Sequence, residues 1–341
     1  MSKYIYCELD FLRDLVRNIP KPDIFEDDEK YLSWKKLFLL LRNNIVIFDK
    51  LLSDEEIVEL NKKKDTDDSS KALWTIIKDN FEISNSFQAL RGGKYEQLTN
   101  HELQSVFLMM LNQRKKQEIA QLTGIIILGK SEIDKFDSLF ANRKISISSN
   151  QDTYKDWGEL DYPELVKISN SLIIVDNYIL KDTNKFDKNI STLFNAVLPY
   201  HTFFEYHISL YVELKGFSER DMQLRYDKVK KIIGDIRPEL HFTLEVLDAI
   251  GRFHDRKLIT NNIYIKSGEG FDIFPIKKST DIDISFPLLD KTKFTNDEGS
   301  YNTLIEELKS IDYNNRYGRH RWGEIHVANR LLVNIKNDNQ F

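Results

Sequence analysis

One stretch of the chain, residues 251–274, combines side chains that can bind or transfer phosphate. Its sequence, GRFHDRKLITNNIYIKSGEGFDIF, has the pattern of a strand, a turn and a second strand. Side chains two residues apart on a strand point to the same face, so His254 and Arg256 are expected to project together. An imidazole can act as a nucleophile, and a guanidinium binds phosphate through parallel hydrogen bonds. This stretch is therefore the first candidate for a functional site.

The turn and the second strand would complete such a site. Asn261 lies in a favourable turn dipeptide, because asparagine tolerates left-handed backbone angles. Gly268 and Gly270 permit a close approach of the main chain, which a bound anion could exploit. We expect five residues of the stretch to contact phosphate: Arg256, Lys257, Asn261, Gly268 and Gly270.

The spacing of these residues resembles the signature of the phospholipase D superfamily, His-x-Lys followed by Asp and then by Gly. The same positions here hold His254, Arg256, Asn261 and Gly268. The segment is similar to the degenerate, single-motif form of that signature. It resembles in particular the phosphoinositide-binding phospholipase-D-like domain that follows a microtubule-interacting-and-trafficking domain in some eukaryotic proteins. The resemblance extends at most over residues 160–300 and implies a phospholipase-D-like α/β sandwich.

In that family the histidine attacks phosphorus, and the lysine neutralises charge on the transferred group. An active site needs two such motifs and no metal, and this chain has one, so catalysis would require a homodimer. Arg256 keeps the positive charge of the family's lysine, whereas Asn261 lacks the carboxylate and Glu269 would repel phosphate. The resemblance therefore favours binding over turnover. The alternative is a homodimeric phosphodiesterase or nuclease with His254 as its catalytic nucleophile.

A second basic segment, NNRYGRHRWGE at 314–324, interleaves cations with aromatic rings. Such a pattern suits contact with phosphates and stacking on bases, although a solvated surface loop has the same composition. Its candidate contacts with nucleic acid are four residues: Arg316, Arg319, Arg321 and Trp322. If the segment folds over the His254 face, it would supply a local positive charge there.

Other catalytic patterns are weaker. Glu213 and Lys215 form the Glu-x-Lys half of a restriction-type nuclease, with Asp187 as a candidate for the missing metal ligand, but this pattern is common at strand ends. The chain has no phosphate loop of the Walker type, no dinucleotide fingerprint and no Gly-x-Ser-x-Gly motif. We therefore expect neither a metal nor another cofactor.

Composition restricts the kind of phosphate site, the presence of disulfides and the expected location of the protein. The 49 Lys and Arg residues and 54 Asp and Glu residues give a net charge of −5, so any phosphate site must be local. The single cysteine, Cys7, excludes an internal disulfide framework. Apolar runs are too short to span a membrane, and the first residues lack the pattern of a secretion signal, which together predict a cytoplasmic protein.

The order of elements predicts an α/β protein with two domains. Residues 1–150 are predicted to form a mainly helical docking or adaptor domain, with a long helix over 100–122. Residues 151–341 are predicted to form the phospholipase-D-like domain, since strands at 170–180, 203–214 and 239–247 alternate with helices.

The hypothesis favoured by these patterns is a binding module for nucleic acid or a phosphorylated headgroup, with a protein partner docked on the first domain. A structural or interaction subunit with no small-molecule site is the remaining alternative. The Lys-, Asn- and Ile-rich composition is also compatible with a prokaryotic antiviral defence or mobile-element system.

Overall fold

The computed structural model describes residues 4–20, 28–150, 155–160, 165–181, 183–248, 256–271, 279–289, 300–317, 320–323 and 329–333. These residues form two β-sheets with helices packed against them, so the fold is α/β. The first sheet has four parallel strands in the order β2-β1-β3-β4. Its strands are β1 (Tyr4–Cys7), β2 (Ile45–Phe48), β3 (Val106–Leu108) and β4 (Ile126–Leu128).

The helices around this sheet are α1 (Leu9–Arg17), α2 (Glu29–Arg42), α3 (Asp54–Lys63), α4 (Asp68–Ile77), α5 (Ser86–Gly92), α6 (Gln113–Thr123), α7 (Lys130–Ile133) and α8 (Phe136–Leu139). The capping box that the sequence indicates at the start of α3 is present. Ser53 Oγ accepts from the amide of Glu56 at 3.2 Å, and Glu56 Oε2 accepts from the amide of Ser53 at 2.8 Å. Two orphan amides of the first turn are thereby satisfied.

The prediction of one long helix over 100–122 is wrong. The segment contains a short 3-10 turn (Glu102–Gln104), then β3, and then α6, which begins after its N-cap, Asn112. The apolar run VFLMML has both faces of its first residues buried, as a central parallel strand requires. A buried apolar run of this length has no periodicity that separates strand from helix.

The second sheet has eight strands in the order β12-β8-β7-β6-β9-β10-β11-β5. In chain order the strands are β5 (Arg143–Ser148), β6 (Ser171–Val175), β7 (Tyr206–Val212), β8 (Phe242–Asp248), β9 (Arg256–Thr260), β10 (Tyr264–Ser267), β11 (Ser279–Ser285) and β12 (Arg321–Gly323). Its helices are α9 (Thr183–Val197), α10 (Glu219–Ile236), α11 (Ser300–Tyr317) and α12 (Arg330–Val333).

The centre of this sheet is β6-α9-β7-α10-β8, with the three strands parallel, as the alternation in the sequence predicts. β9 returns antiparallel beside β6, and β10, β11 and β5 extend the antiparallel half. Thus β5, which precedes residue 150, belongs to the second sheet. Among the described residues, no helix combines the length and the apolar character needed to cross a bilayer.

A buried set of amide side chains joins the two sheets. Asn170 Nδ2 donates to the main-chain oxygens of Leu103 and Thr123 at 2.8 and 3.0 Å, and Asn261 Nδ2 donates to that of Gly124 at 2.8 Å. Gly124 has a φ of +69°, and a Cβ there would overlap the main chain of Ser169. Only glycine allows this close approach.

Candidate phosphate site

The parallel strands β6, β7 and β8 end at one edge of the second sheet, which we call the carboxyl edge. β6 has a parallel neighbour, β7, on one side and an antiparallel neighbour, β9, on the other. The first residue of β9, Arg256, therefore lies beside Asp176, which directly follows β6. Ligands of α/β proteins bind outside the carboxyl ends of strands where the connections change direction. The fold thus makes this edge the first place to look for a site.

Asp176 organises the edge from within. Its carboxylate is buried and accepts from the amide of Tyr178 at 2.8 Å and from that of Phe271 at 2.7 Å. Gly270 has a φ of +95°, and a Cβ there would lie 2.9 Å from Asp176 Oδ2, so a side chain at this position would strain the backbone and crowd the carboxylate. The carboxylate therefore fixes the turn after β10 against the turn after β6.

Arg256 is half-buried at the centre of this arrangement. Its Nη1 donates to the main-chain oxygen of Gly268 at 2.9 Å, and its guanidinium carbon lies 5.4 Å from the ring centroid of Tyr178. In the described part of the chain, no carboxylate forms an ion pair with Arg256. A guanidinium has five N–H donors, so Arg256 is held in position with donors left for a ligand.

The ring of Tyr178 has a second cation against it. Lys181 Nζ lies 4.4 Å from the ring centroid and pairs with Glu213 Oε2 at 2.6 Å. Tyr178 is 41% exposed, so the ring remains accessible to a ligand. Cations at this distance from an aromatic face are attracted by its quadrupole. The edge therefore presents a ring and two cations, one of which is already neutralised by Glu213.

The acids at this edge are mostly occupied by structural contacts. Asp248, the last residue of β8, accepts from the amide of Leu214 at 3.0 Å. The restriction-type arrangement does not assemble, because Asp187 pairs with Lys228 on α10 at 2.5 Å while Glu213 pairs with Lys181. Over the described ranges, no group of three or more His, Cys, Asp or Glu side chains is placed to hold a metal ion.

The comparisons with known proteins do not indicate a function for this site. No protein-family model matches the chain, and no curated protein sequence matches it. A solved structure of TrmBL2, described as an archaeal chromatin protein with a novel mode of DNA binding, is similar over 51% of this chain at 13% identity and a TM-score of 0.24. The match spans about half of the TrmBL2 chain (52%), and a similarity this low carries no argument about function.

The structure brings Arg256, Gly268 and Gly270 together but separates the other two expected phosphate ligands from them. Lys257 lies on the opposite face of β9, where it is buried and pairs with Glu307 of α11 at 2.5 Å. This follows from the alternation of side chains along a strand.

Asn261 is the second correction. It lies beyond the other end of β9 and is fully buried. Its Oδ1 accepts from the amide of Asn170 at 3.0 Å, and its Nδ2 donates to Gly124, so it joins the two sheets. A side chain with no exposed surface and paired amide atoms is not available to a ligand at the carboxyl edge.

The basic segment is also arranged differently from the expectation. Arg316 pairs with Asp312 on α11, and Arg321 Nε lies 3.6 Å from Glu245 Oε2. In the strand register Glu245 lies on the same face as Lys257, opposite Arg256, so neither arginine adds its charge to Arg256. Trp322 is half-buried on β12 at the far edge of the sheet. Arg319 and the candidate nucleophile His254 lie outside the described residues.

Sequence reasoning missed Tyr178 and Lys181, which complete the geometry around Arg256. Both lie in the segment after β6, in the sequence DNYILK. The signal that could have found them is positional: polar residues directly after a buried parallel strand lie at the carboxyl edge, whatever their type.

Proposed function

We propose that the carboxyl edge of the second sheet binds a phosphate-bearing ligand, either nucleic acid or a phosphorylated headgroup. The observation that carries the proposal is the state of Arg256. Its guanidinium is anchored by the main-chain oxygen of Gly268 beside the exposed ring of Tyr178, and no carboxylate of the described residues neutralises it. An oriented guanidinium with available donors is suited to bidentate phosphate recognition.

The roles of the neighbouring residues follow from their contacts. The main-chain oxygen of Gly268 anchors the guanidinium, Gly270 lets the turn pass close to Arg256, and Asp176 fixes that turn. Lys181 adds a positive charge whose effect is reduced by Glu213. A degenerate phospholipase-D-like site is the form of recognition that the motif around Arg256 suggests, with binding rather than turnover as its activity.

The test measures binding to vesicles containing phosphoinositides, and binding and cleavage of labelled single- and double-stranded DNA and RNA with Mg²⁺ and with EDTA. Wild-type protein is compared with Arg256→Ala, His254→Ala and the control Arg42→Ala, which removes an exposed arginine of α2. We expect binding without cleavage, weakened about 10-fold or more by Arg256→Ala and unchanged by Arg42→Ala.

Each other outcome has a defined meaning. Cleavage that persists in EDTA and disappears in His254→Ala would establish the homodimeric phosphodiesterase instead of the binding module. Cleavage that requires Mg²⁺ would indicate a metal site that the Arg256 geometry does not explain. If neither nucleic acids nor vesicles containing phosphoinositides bind, the proposal fails and the interaction subunit is the better description.

A further inference from the structure

The positive edge continues beyond Lys181 to a second arginine. Arg225, on α10, donates from Nη2 to the main-chain oxygen of Lys181 at 3.5 Å, and its guanidinium carbon lies 4.4 Å from the ring centroid of Phe217. Phe217 lies in the turn between β7 and α10 and is half-buried. Arg225 forms no ion pair with a carboxylate among the described residues, although the pKa of Asp221, one turn earlier on α10, is lowered by hydrogen bonds from Ser218 and also by the nearby Arg225 guanidinium. Arg225 is half-buried, as Arg256 is, and its charge is balanced only in part by Asp221.

Five side chains thus follow one another along the carboxyl edge in the order Arg256, Tyr178, Lys181, Arg225 and Phe217, and we call them the cation–aromatic track. Neighbouring members lie 3.5 to 5.4 Å apart, with Arg225 reaching Lys181 through the main-chain oxygen of that residue. Three structural segments supply them: the start of β9, the turn after β6, and the region from the end of β7 into α10. The track is consequently a product of the parallel crossovers.

The linear form of the track discriminates between ligands. A single phosphate group, such as that of a headgroup, needs one cation and its immediate neighbours. A single nucleic-acid strand offers successive phosphates to successive cations and successive bases to aromatic rings, and it is bound in this way without regard to sequence. Bases within a duplex are stacked on each other and do not offer their faces to rings.

The acids along the track are held by contacts of their own, so none of them forms an ion pair with either arginine among the described residues. Glu213 is directed at Lys181, and Asp221 of α10 accepts from Ser218 Oγ at 2.7 Å as part of the capping box of that helix. Neither carboxylate forms an ion pair with Arg225 or Arg256. Within the described ranges, the two arginines are therefore the cations of the track that form no ion pair, with Asp221 the nearest acid to Arg225.

We propose that the ligand of the carboxyl edge is single-stranded nucleic acid that lies along the cation–aromatic track. This inference rests on the proposed function, in that Arg256 must bind a phosphate. It adds that Arg225 binds a further phosphate of the same strand and that Tyr178 and Phe217 stack on its bases.

The experiment is fluorescence anisotropy with labelled oligothymidylate, the matched duplex and phosphoinositide vesicles over a series of salt concentrations. The variants are Arg225→Ala, Tyr178→Leu and Phe217→Leu, in which leucine keeps an apolar side chain. The controls are Arg42→Ala and Phe81→Leu, an exposed arginine and an exposed aromatic residue of the first region. Circular dichroism verifies the fold of each variant.

We expect the single strand to bind at least about 10-fold more tightly than the duplex. Loss of one stacked ring should weaken binding by about 5- to 10-fold or more. Arg225→Ala should lower the slope of log K against log salt by about 0.7, the value for one phosphate contact on a single strand, whereas Arg225→Lys should keep the slope.

The two proposals fail in different ways. If Arg256→Ala weakens binding while the Arg225, Tyr178 and Phe217 variants behave as the controls do, the phosphate site stands and the track inference is wrong. Preference for the duplex or for vesicles would also overturn the track. If Arg256→Ala has no effect on any ligand, both proposals fail.

Discussion

At the carboxyl ends of the four-stranded sheet, the charged side chains are paired inside the protein. Glu8, directly after β1, is buried and accepts from Nε of Arg91 at 2.9 Å and from the amide of Met110 at 2.7 Å. Asp49, directly after β2, accepts from the amide of Leu9 at 2.8 Å. This edge uses its charges to hold neighbouring segments of the same chain.

The carboxyl edge of the eight-stranded sheet differs in its arginines. Asp176 has the same internal role as Glu8, but Arg256 and Arg225 form no ion pair with a carboxylate among the described residues. Both edges are places where α/β proteins bind ligands, so strand topology alone does not distinguish them. The distinguishing property is whether the cations at the edge are already neutralised.

The largest expected effect is at the paired edge. Glu8→Ala should lower the free energy of unfolding by about 3–4 kcal/mol, because the amide of Met110 and the guanidinium of Arg91 lose their acceptor. Urea unfolding measures this difference, with Glu59→Ala as the control, since Glu59 forms an exposed pair with Lys63 on α3. Equal stability of the two variants would show that the edge is not held together by Glu8.

A second prediction concerns the junction between the two regions. His207 Nδ1 accepts from the amide of Arg330 at 3.1 Å, and burial, together with the nearby Arg330 guanidinium, lowers the pKa of His207 to about 4. Glu205 Oε2 lies 3.9 Å from His207 Nε2, and its negative charge opposes the effect of the Arg330 guanidinium on the imidazole. The main-chain oxygen of Arg330 accepts from Gln104, so this contact links both sheets.

The imidazole of His207 therefore binds a proton less readily in the folded state than in the unfolded state, in which its pKa is about 6.5. The contribution is present above pH 6.5 and is lost as the pH falls toward 4, on the order of 3 kcal/mol in total. Urea midpoints measured from pH 7 to pH 4 for wild type and His207→Asn would check this, with His320→Asn as a control at an exposed site. A parallel pH dependence in all three proteins would contradict it.

The comparison is sharpest for two arginines. Arg256→Ala should weaken binding of a single-stranded oligonucleotide about 10- to 30-fold, about 1.4–2 kcal/mol, and change stability by less than about 0.5 kcal/mol. Arg91→Ala should have the reverse effects, with lower stability because buried Glu8 loses its partner and with unchanged binding. If both variants lose stability alike, the distinction between the two edges disappears.

The smallest expected effect is at Glu245, the buried partner of Arg321. Burial raises the pKa of Glu245, so the folded state holds its proton more tightly than the unfolded state does. That contribution is present below the unfolded pKa, about 4.3, and is lost as the pH rises through the folded value. Glu245→Gln keeps an acceptor for Ser209 Oγ and removes this pH-dependent loss, so the variant should be slightly more stable than wild type near neutral pH.

Urea unfolding of wild type and Glu245→Gln between pH 4 and pH 7 checks the sign. We expect the two curves to converge in acid and to separate as the pH rises. A variant that is less stable at neutral pH by more than about 1 kcal/mol would mean that the Arg321 pair contributes more than the burial of the charge costs.

Much of the second region was predictable because its signals are local. The alternation of strands and helices from residue 160 onward predicted β6, β7, β8 and the helices between them, and the turn at Asn261-Asn262 predicted the β9–β10 hairpin. The first region was harder to predict. Its buried strand β3 was assigned to a helix, because a fully buried apolar run lacks the periodicity that exposes one face to water.

The candidate site was predictable only in part. Arg256, Gly268 and Gly270 belong to one hairpin, so their proximity follows from local sequence, and the structure keeps them together. Lys257 and Asn261 belong to the same hairpin, but one side chain points to the opposite face and the other is buried between the sheets. Motif spacing does not specify which face or which end of a strand meets solvent.

What the sequence by itself determined is the α/β alternation, the hairpin, and the capping of α3, since each depends on residues within a few positions of one another. Only the tertiary structure decided which charges are neutralised and which remain available. Arg91 meets Glu8, whereas Arg225 meets the main chain of Lys181 beside Phe217. The contacts of Arg91 with Glu8 and of Arg225 with Lys181 join residues that are distant in sequence, and strand order and crossovers bring them together. The physical reason is that pairing depends on distance in space, which local sequence patterns do not encode.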